Sequence, residues 1–566
     1  MNKMKIPLTA LTITTRDGTL AKDSKATNVL GGQKRPGLAT VAQLPVGVGQ
    51  GMFNFAPLGT LVVISNSLYS LTTGALVAAI PSGVGPYDFT EVATNGILAF
   101  KDAANIWTMQ YSSVVVAAQP AVPATSTASA KLPIPGLSIG VNLVKVPRGV
   151  AGATVLQPGT GGTDGTYALT ITAASGDTGS GAAGTYVISG GIVTAITITV
   201  VGDNYLVPPI ATFPLGGITG ATATVTVNNV PTAMLPGMVF LDSTYYVMTT
   251  DGKLTGSNLS DPRNWDALNY LVLNADLGEP VAVAKQLNYV IGFADKFTSF
   301  YYDAGNPPPG SPLSPVQSAY MDVGCVNAGS VCQIGGLLLF VGKTATKGRG
   351  VYALKGAQYQ LLSDVYLDKV LMLSTLVGCS TMNMKVQGHE LYLLTLPDLG
   401  ITLAMDFNQK QWGVWTSSVS PAATQLIPGD YTQGVFAPAH YLDGDADIDL
   451  LQHPSNGKVY QPLWNVYTDD GLPIDVNLVT TQVEGENSDY VRIAAAEFIG
   501  DKVASTLYIR FSEDDYNTWS TYLPVDMAKV RSRTVRQGAT RRRAYQLRHT
   551  DNAPFNAREL HLEVSQ

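Results

Sequence analysis

Gly342-Lys343-Thr344 ends like a phosphate-binding loop. The full pattern needs a glycine five positions before Gly342, so that backbone amides cradle the phosphates while the lysine reaches the outer ones. Leu337 stands there instead, and the turn Lys347-Gly348-Arg349-Gly350 follows where a helix should begin. His389-Glu390 would open a zinc-protease helix if a second histidine came four residues on, but that position is Leu393. His440, His453, His549 and His561 are scattered, no cysteine pair has ligand spacing, and no G-x-S-x-G nucleophile turn occurs. Cys325 and Cys332 suit small, buried strand positions. The chemistry of nucleotide, zinc and acyl transfer is therefore not expected, and no catalytic, cofactor or metal residue is assigned.

Two charged runs are left. Asp443, Asp445, Asp447 and Asp449 alternate as hard oxygen ligands for calcium would. A calcium loop, however, wants glycine at its sixth position and glutamate at its twelfth, which here are Ile448 and Pro454. The run then reads as a solvated acidic turn between strands. From Lys529 onward there are nine basic and three acidic residues, so this tail is about +6 within a chain of net charge −7. Arg531 and Arg533, two apart, share one strand face, whereas the consecutive Arg541, Arg542 and Arg543 cannot. This pattern fits a dock for an acidic partner or for DNA phosphates. It fits equally a strand face with cross-strand charge pairs. Tyr545 is nearly the only aromatic among these arginines, which disfavours single-strand binding.

The elements that must carry these residues are strands. The chain is 45% hydrophobic and 14% charged, with 57 Gly and 33 Pro. That composition excludes disorder, coiled coil and collagen, and leaves an all-β chain rich in turns. Three cysteines are too few for a disulfide scaffold. Residues 1–15 lack the uninterrupted apolar core of a signal peptide, and no run is long enough for a membrane helix. Short apolar runs pair with aromatic ones, as in Leu61-Val62-Val63-Ile64 with Leu68-Tyr69-Ser70-Leu71. Met238-Val239-Phe240-Leu241 pairs likewise with Tyr245-Tyr246-Val247-Met248. Recurrence about every 35–50 residues predicts the blades of a β-propeller.

Residues 119–231 break the series, with six charged residues amid Gly, Ala, Thr, Val and Ile. Alternation such as Ile192-Val193-Thr194-Ala195-Ile196-Thr197 predicts strands, so the segment reads as an inserted β-domain behind a Pro-rich linker. The expected organisation is an extended arm at 1–55 with a Lys-Arg-Pro-Gly turn, and propeller at 56–118 and 232–470. The insertion occupies 119–231, and a basic C-terminal β-domain covers 471–566.

Several segments resemble one family, the tail nozzle, tail-hub or packaged-DNA-stabilisation proteins of short-tailed bacteriophages. Arg16-Asp17-Gly18-Thr19-Leu20-Ala21-Lys22-Asp23-Ser24-Lys25-Ala26-Thr27-Asn28 is similar to its opening, as is Lys34-Arg35-Pro36-Gly37-Leu38. Further on come Asp261-Pro262-Arg263-Asn264-Trp265, Phe300-Tyr301-Tyr302-Asp303-Ala304-Gly305 and Gly324-Cys325-Val326-Asn327-Ala328-Gly329-Ser330. The resemblance covers about 16–40 and 235–470, and the insertion is similar to a Gly/Thr-rich phage decoration domain.

The resemblance implies a virion tail protein assembled in the host cytoplasm, without catalytic activity, cofactor or membrane anchor. It implies a homo-hexameric ring that caps the portal adaptor (the head-to-tail connector), contacts a tail fibre or spike, and holds packaged duplex DNA until ejection without sequence-specific binding. The candidate interface residues are Arg531, Arg533, Arg541, Arg542, Arg543, Lys34 and Arg35. A glycan-binding or glycan-cleaving propeller is the alternative.

Overall fold

The computed structural model describes residues 2–9, 11, 26–55, 58–80, 82–90, 96–114, 138–273, 278–316, 321–344, 346–386, 388–416, 439–443, 446–484 and 489–565. The chain is all-β, and the described residues hold one α-helix, Val365–Leu373, started by the Asp364 carboxylate accepting from Leu367 N at 2.8 Å. Two compact units emerge. One comprises residues 1–79, 295–298 and 321–566, the other residues 80–294 and 299–320.

The first unit contains four hydrogen-bonded meanders of the blade type. The first blade is Gly49–Phe55, Gly59–Ile64, Ser67–Ser70 and Leu76–Ala79. The fifth centres on Leu337–Thr344, flanked by Val323–Cys325 and Cys332–Ile334 on one side and Gly350–Lys355 and Gln358–Leu361 on the other. The sixth is Ser380–Val386, His389–Leu396, Ile401–Asp406 and Gln411–Trp415. The seventh takes three strands from late in the chain, Ala439–Asp443, Ala446–Gln452 and Lys458–Leu463, and its fourth, Gly37–Gln43, from near the start.

The second unit holds the second blade (Asp88–Phe89, Ile97–Lys101, Ile106–Val114, Ser138–Lys145) and the third (Val239–Leu241, Thr244–Met248, Lys253–Asn258, Asp261–Val272). The fourth, Pro280–Gln286, Tyr289–Ala294, Thr298–Asp303 and Leu313–Pro315, lies in it apart from Thr298.

Second strands such as Ile97–Lys101 and Tyr289–Ala294 are buried almost throughout, and their apolar runs are accordingly unbroken rather than alternating. Neighbouring blades share cores within each unit. Leu339 and Val341 pack with Tyr392 and Leu394, Met384 and Trp415 with Leu451 and Tyr460, and Leu450 and Val459 with Val62 and Ile64. In the other unit Ala99 and Ile106 pack with Tyr245 and Trp265, and Tyr246 and Leu254 with Val290 and Tyr301.

The C-terminal domain is a two-sheet sandwich. One sheet orders Asn2–Pro7, Ala557–Ser565, Val491–Gly500 and Ser532–Thr540; the other includes Val476–Val479, Arg542–His549, Thr506–Ser512 and Leu523–Asp526. Ile6, Phe498, Leu560 and Leu562 meet Leu478, Leu507, Ile509 and Leu547 between them.

Two expected boundaries need correction. Residues 1–55 are not an arm of their own: they supply a sandwich strand, Asn2–Pro7, the last strand of the seventh blade and the first of the first blade. The pair Ala26–Thr27 also bridges the sixth blade at Val414 and the sandwich at Leu478. The reason is that an open blade edge with unpaired amides is best satisfied by a strand from elsewhere in the chain.

The insertion begins later than expected. Ser138–Lys145 pairs with Ile106–Val114 as the second blade's outer strand, and Val146 joins that blade's core. The separate module runs from Val150–Thr160 to Thr219–Val227, with its own small cores around Tyr205 and Tyr186.

The candidate interface and the charged seam

The tail arginines are positioned by the sandwich. On its first sheet Glu497 lies opposite Arg533 in register, with the strand carrying Glu563 on the other side. Arg531 sits at the strand's start and grips Glu497 through Nε at 3.1 Å and Nη2 at 2.7 Å, and reaches Glu563 at 2.5 Å. These hydrogen bonds hold its guanidinium still further above its ordinary range. Arg533 approaches Glu563 at 3.8 Å, so the shared face inferred from their spacing exists and is charge-paired.

Arg541, Arg542 and Arg543 do diverge. Arg541 lies over the exposed Tyr490 ring, 4.9 Å from its centroid. Arg542 pairs with Asp515 at 2.7 Å. Arg543 turns inward to Glu513 and the Gln537 carbonyl, over the Phe511 ring at 4.0 Å. Being buried, Arg543 is corrected from a docking candidate to a structural residue.

The same correction applies to Lys34 and Arg35, both buried. Arg35 makes a two-pronged pair with Asp469 at 2.9 and 2.5 Å, and its Nε donates to Asn28 Oδ1 at 2.9 Å. That Asn28 oxygen also accepts from Thr416 N at 2.7 Å, and its amide donates to the Asp475 carbonyl at 2.7 Å. The Lys34 ammonium donates to the Asp551 carbonyl at 2.9 Å, and burial pulls it down to about 8. The Asn28 and Lys-Arg-Pro-Gly segments thus form a buried seam stitching the sixth blade, seventh blade and sandwich.

Behind the seam lies a grouping that no sequence motif announced. Ser505 Oγ stands 2.6 Å from His549 Nε2 and 3.0 Å from Asp551 Oδ2. The types are those of a hydrolase triad, but the order is wrong: there the histidine lies between serine and carboxylate. Asp551 instead spends its Oδ2 on Ser505 and on Thr506 N at 2.9 Å. His549 is fully buried and stacked on Phe555, and burial pushes it down to about 4. The imidazole is closed off from solvent in this fold.

The other motifs resolve locally. Lys343 lies on a strand and pairs with Asp295 at 3.3 Å. His389 also lies on a strand, its Nδ1 2.7 Å from Asp406. Asp443 and Ala446 close a hairpin whose tip, 444 and 445, is outside the described residues. Asp449 accepts from Lys385 N at 2.9 Å. Among the described residues no metal-binding group of His, Cys, Asp or Glu occurs. The three thiols are pushed up to about 12 by burial.

The family-like segments have concrete work in the fold. Trp265 is buried, its indole donating to the Pro262 carbonyl at 2.8 Å, while Asp261 accepts from Arg263 N and Asn264. A Cβ on Gly329 would lie 2.1 Å from the Cys379 carbonyl oxygen, so only glycine fits that turn.

Residues 218–432 match a family described as "Bacteriophage P22 Gp10, beta-propeller". The matched span takes in the third to sixth blades, and the resemblance to phage packaged-DNA-stabilisation proteins and the propeller class both stand on it. A search of curated proteins finds no match. Among solved structures, the chain is similar to the computationally designed Ika8 protein, at 10% identity over 75% of this chain and 99% of that one, TM-score 0.32. The Cps50 (Swd1) β-propeller domain of Myceliophteria thermophila is 9% identical over 75% and 99%, TM-score 0.28. The N-terminal domain of Nup159 is 7% identical over 76% and 94%, TM-score 0.31. At TM-scores this low, these likenesses add nothing to the family match.

Proposed function

We propose that this chain, which over residues 218–432 matches the β-propeller of the phage P22 Gp10 family, is the protomer of a tail nozzle ring. The family match carries the coarser part: a structural protein of the phage tail, involved in stabilising packaged DNA. The finer part is that six copies close a ring below the portal adaptor, block the channel until ejection, and offer an outer surface to a tail fibre or spike. Assembly takes place in the host cytoplasm.

The physical argument is that such a ring works by shape and interfaces, not by a reactive group. A propeller suits it because meandering blades leave only short strand edges exposed. DNA must also slide through without being gripped. Cations already spent on carboxylates, as Arg531 and Arg542 are on Glu497 and Asp515, release few counterions from phosphate.

Mass photometry of the purified chain tests the reading directly. A species of about six protomers that binds purified portal adaptor is the expected result. A strict monomer that turns over host-surface polysaccharide, with the turnover abolished by one carboxylate substitution, would replace it with the glycan-cleaving alternative.

A further inference from the structure

The inserted module is joined to the propeller by two short chain segments, and such joints by themselves leave a module free to swing. Here both joints are tied down. Arg148 lies on the segment that leads from the second blade into the module, and the module takes both of its backbone polar groups. Its N–H donates to Asp203 Oδ1 at 2.9 Å, and its carbonyl accepts from Tyr205 N at 3.0 Å. Asp203 ends the strand Ile192–Asp203. Its Oδ2 lies 3.1 Å from the ammonium of Lys145, the last residue of the second blade's outer strand. One carboxylate therefore joins module, connecting segment and blade.

The local sequence builds this geometry. Gly202 and Asn204 take positive φ values of 67° and 64°, which turns the chain sharply on either side of Asp203. Asn204 N also donates to Asp203 Oδ1, at 2.8 Å. The turn drives Tyr205 into a module core beside Val150, Val225 and Val227. A Cβ on Gly149 would lie 2.6 Å from the carbonyl oxygens of Val201 and Gly202, so the connecting segment lies directly on the end of the Asp203 strand. Against burial, which acts to raise it, hydrogen bonds from Asn204 N, Arg148 N and Lys145 hold the Asp203 carboxyl below its ordinary range. At the second joint Asn229 N donates to the Trp265 carbonyl of the third blade at 3.1 Å. Asn228 N donates to the Gly149 carbonyl at 2.8 Å, which fastens the two joints to each other.

We propose that Asp203 is a latch, a positioning residue that fixes the attitude of the inserted module on the second blade and makes it a rigid extension of the propeller. Charge-assisted hydrogen bonds are the stronger kind, and these hold the backbone of the joint itself, where φ and ψ would otherwise turn. A module already held in one attitude meets a partner without the entropy cost of being ordered first. The inference stands apart from the ring reading, because every contact it uses lies within one unit of a single chain.

The test places spin labels on the full-length chain at Gln110→Cys, on the second blade, and at Ala195→Cys, in the module, both at exposed positions. The width of the label-to-label distance distribution, read by double electron–electron resonance, measures the module's freedom. The chain without these two substitutions gives the background from the native thiols Cys325, Cys332 and Cys379. A narrow distribution is expected, broadened at least about twofold by Asp203→Ala. Lys145→Gln, which leaves the backbone hydrogen bonds to Asp203 in place, should broaden it less. Asp164→Ala should leave it unchanged, since that carboxylate accepts from Gly191 N inside the module. Hydrogen exchange along Ser180–Ser189 shows whether the module stays folded in each variant. If Asp203→Ala unfolds it, Asp203→Asn decides, since it keeps an acceptor oxygen, loses the charge and should still broaden the distribution. Equal widths with and without the Asp203 substitution, in a folded module, would overturn the proposal. So would a distribution that is already broad with Asp203 in place.

Discussion

Arg35 illustrates how a residue's surroundings outrank its type. An arginine in a turn motif reads as a surface cation, yet it is buried against Asp469 with each guanidinium nitrogen employed. Removing one partner of such a pair strands the other charge, so Arg35→Met should cost about 3–5 kcal/mol in urea unfolding. A loss below about 1 kcal/mol would mean the seam is dispensable. His549, buried, and Asp475, half-buried beside Arg548, act in opposite senses. His549 is held at about 4 against 6.5 unfolded, so between those values the unfolded chain binds the extra proton and acid destabilises the fold. Asp475 is held at about 6 by burial against 3.8, so there the folded chain keeps the extra proton and acid stabilises it. Asp475→Asn removes only the second effect. As pH falls from about 6 to about 4, wild type should gain on the variant by up to about 1.4 kcal/mol per pH unit. Parallel curves of unfolding free energy against pH would refute the burial of that carboxylate.

At the scale of elements, the inserted module can be separated because its ends meet. Asn228 donates to the Pro147 carbonyl at 3.1 Å and the Arg263 carbonyl at 2.7 Å, and accepts from Trp265 N at 2.8 Å. Replacing residues 149–227 by a short Gly/Ser linker should therefore leave one folded protein with its cooperative melting transition. Cutting at 119 and 231, the limits expected from composition, should do much worse. That wider excision removes the strand Ser138–Lys145 and the buried Val146 along with the module, and leaves Ile106–Val114 paired only with Ile97–Lys101. Calorimetry on the two deletions distinguishes them; equal stability would show that the fourth strand of that blade is not structural.

At the scale of the whole chain, the start of the sequence completes structures built from its end. Gly37–Gln43 supplies the seventh blade's last strand, and Asn2–Pro7 pairs with Ala557–Ser565. Truncation of residues 1–43 should accordingly abolish cooperative unfolding of the unit that contains both ends, read as loss of the calorimetric peak and of protease resistance. A truncated protein that melts like wild type would place the seventh blade's stability elsewhere. The net effect of this arrangement is that the strands Asn2–Pro7 and Ala557–Ser565 are held in one β-sandwich.

Pattern alone carried the class of fold, because blade strands announce themselves by local means: apolar runs of a few residues, aromatic partners, and Gly or Asp at each turn. Leu61-Val62-Val63-Ile64 and Tyr245-Tyr246-Val247-Met248 were legible for that reason, as was the failure of each catalytic spacing. So was the divergence of Arg541, Arg542 and Arg543, since strand period alone forbids a shared face. What stayed hidden depends on partners far away along the chain. Arg35 meets Asp469, Ser505 meets His549 and Asp551, and Ser138–Lys145 joins a blade rather than the module that follows it. Composition sees one low-charge stretch from the linker to the module's end, but only tertiary hydrogen bonding decides which sheet a strand enters. Burial likewise belongs to the folded chain, and it decided which arginines are spent inside the protein and which reach its surface.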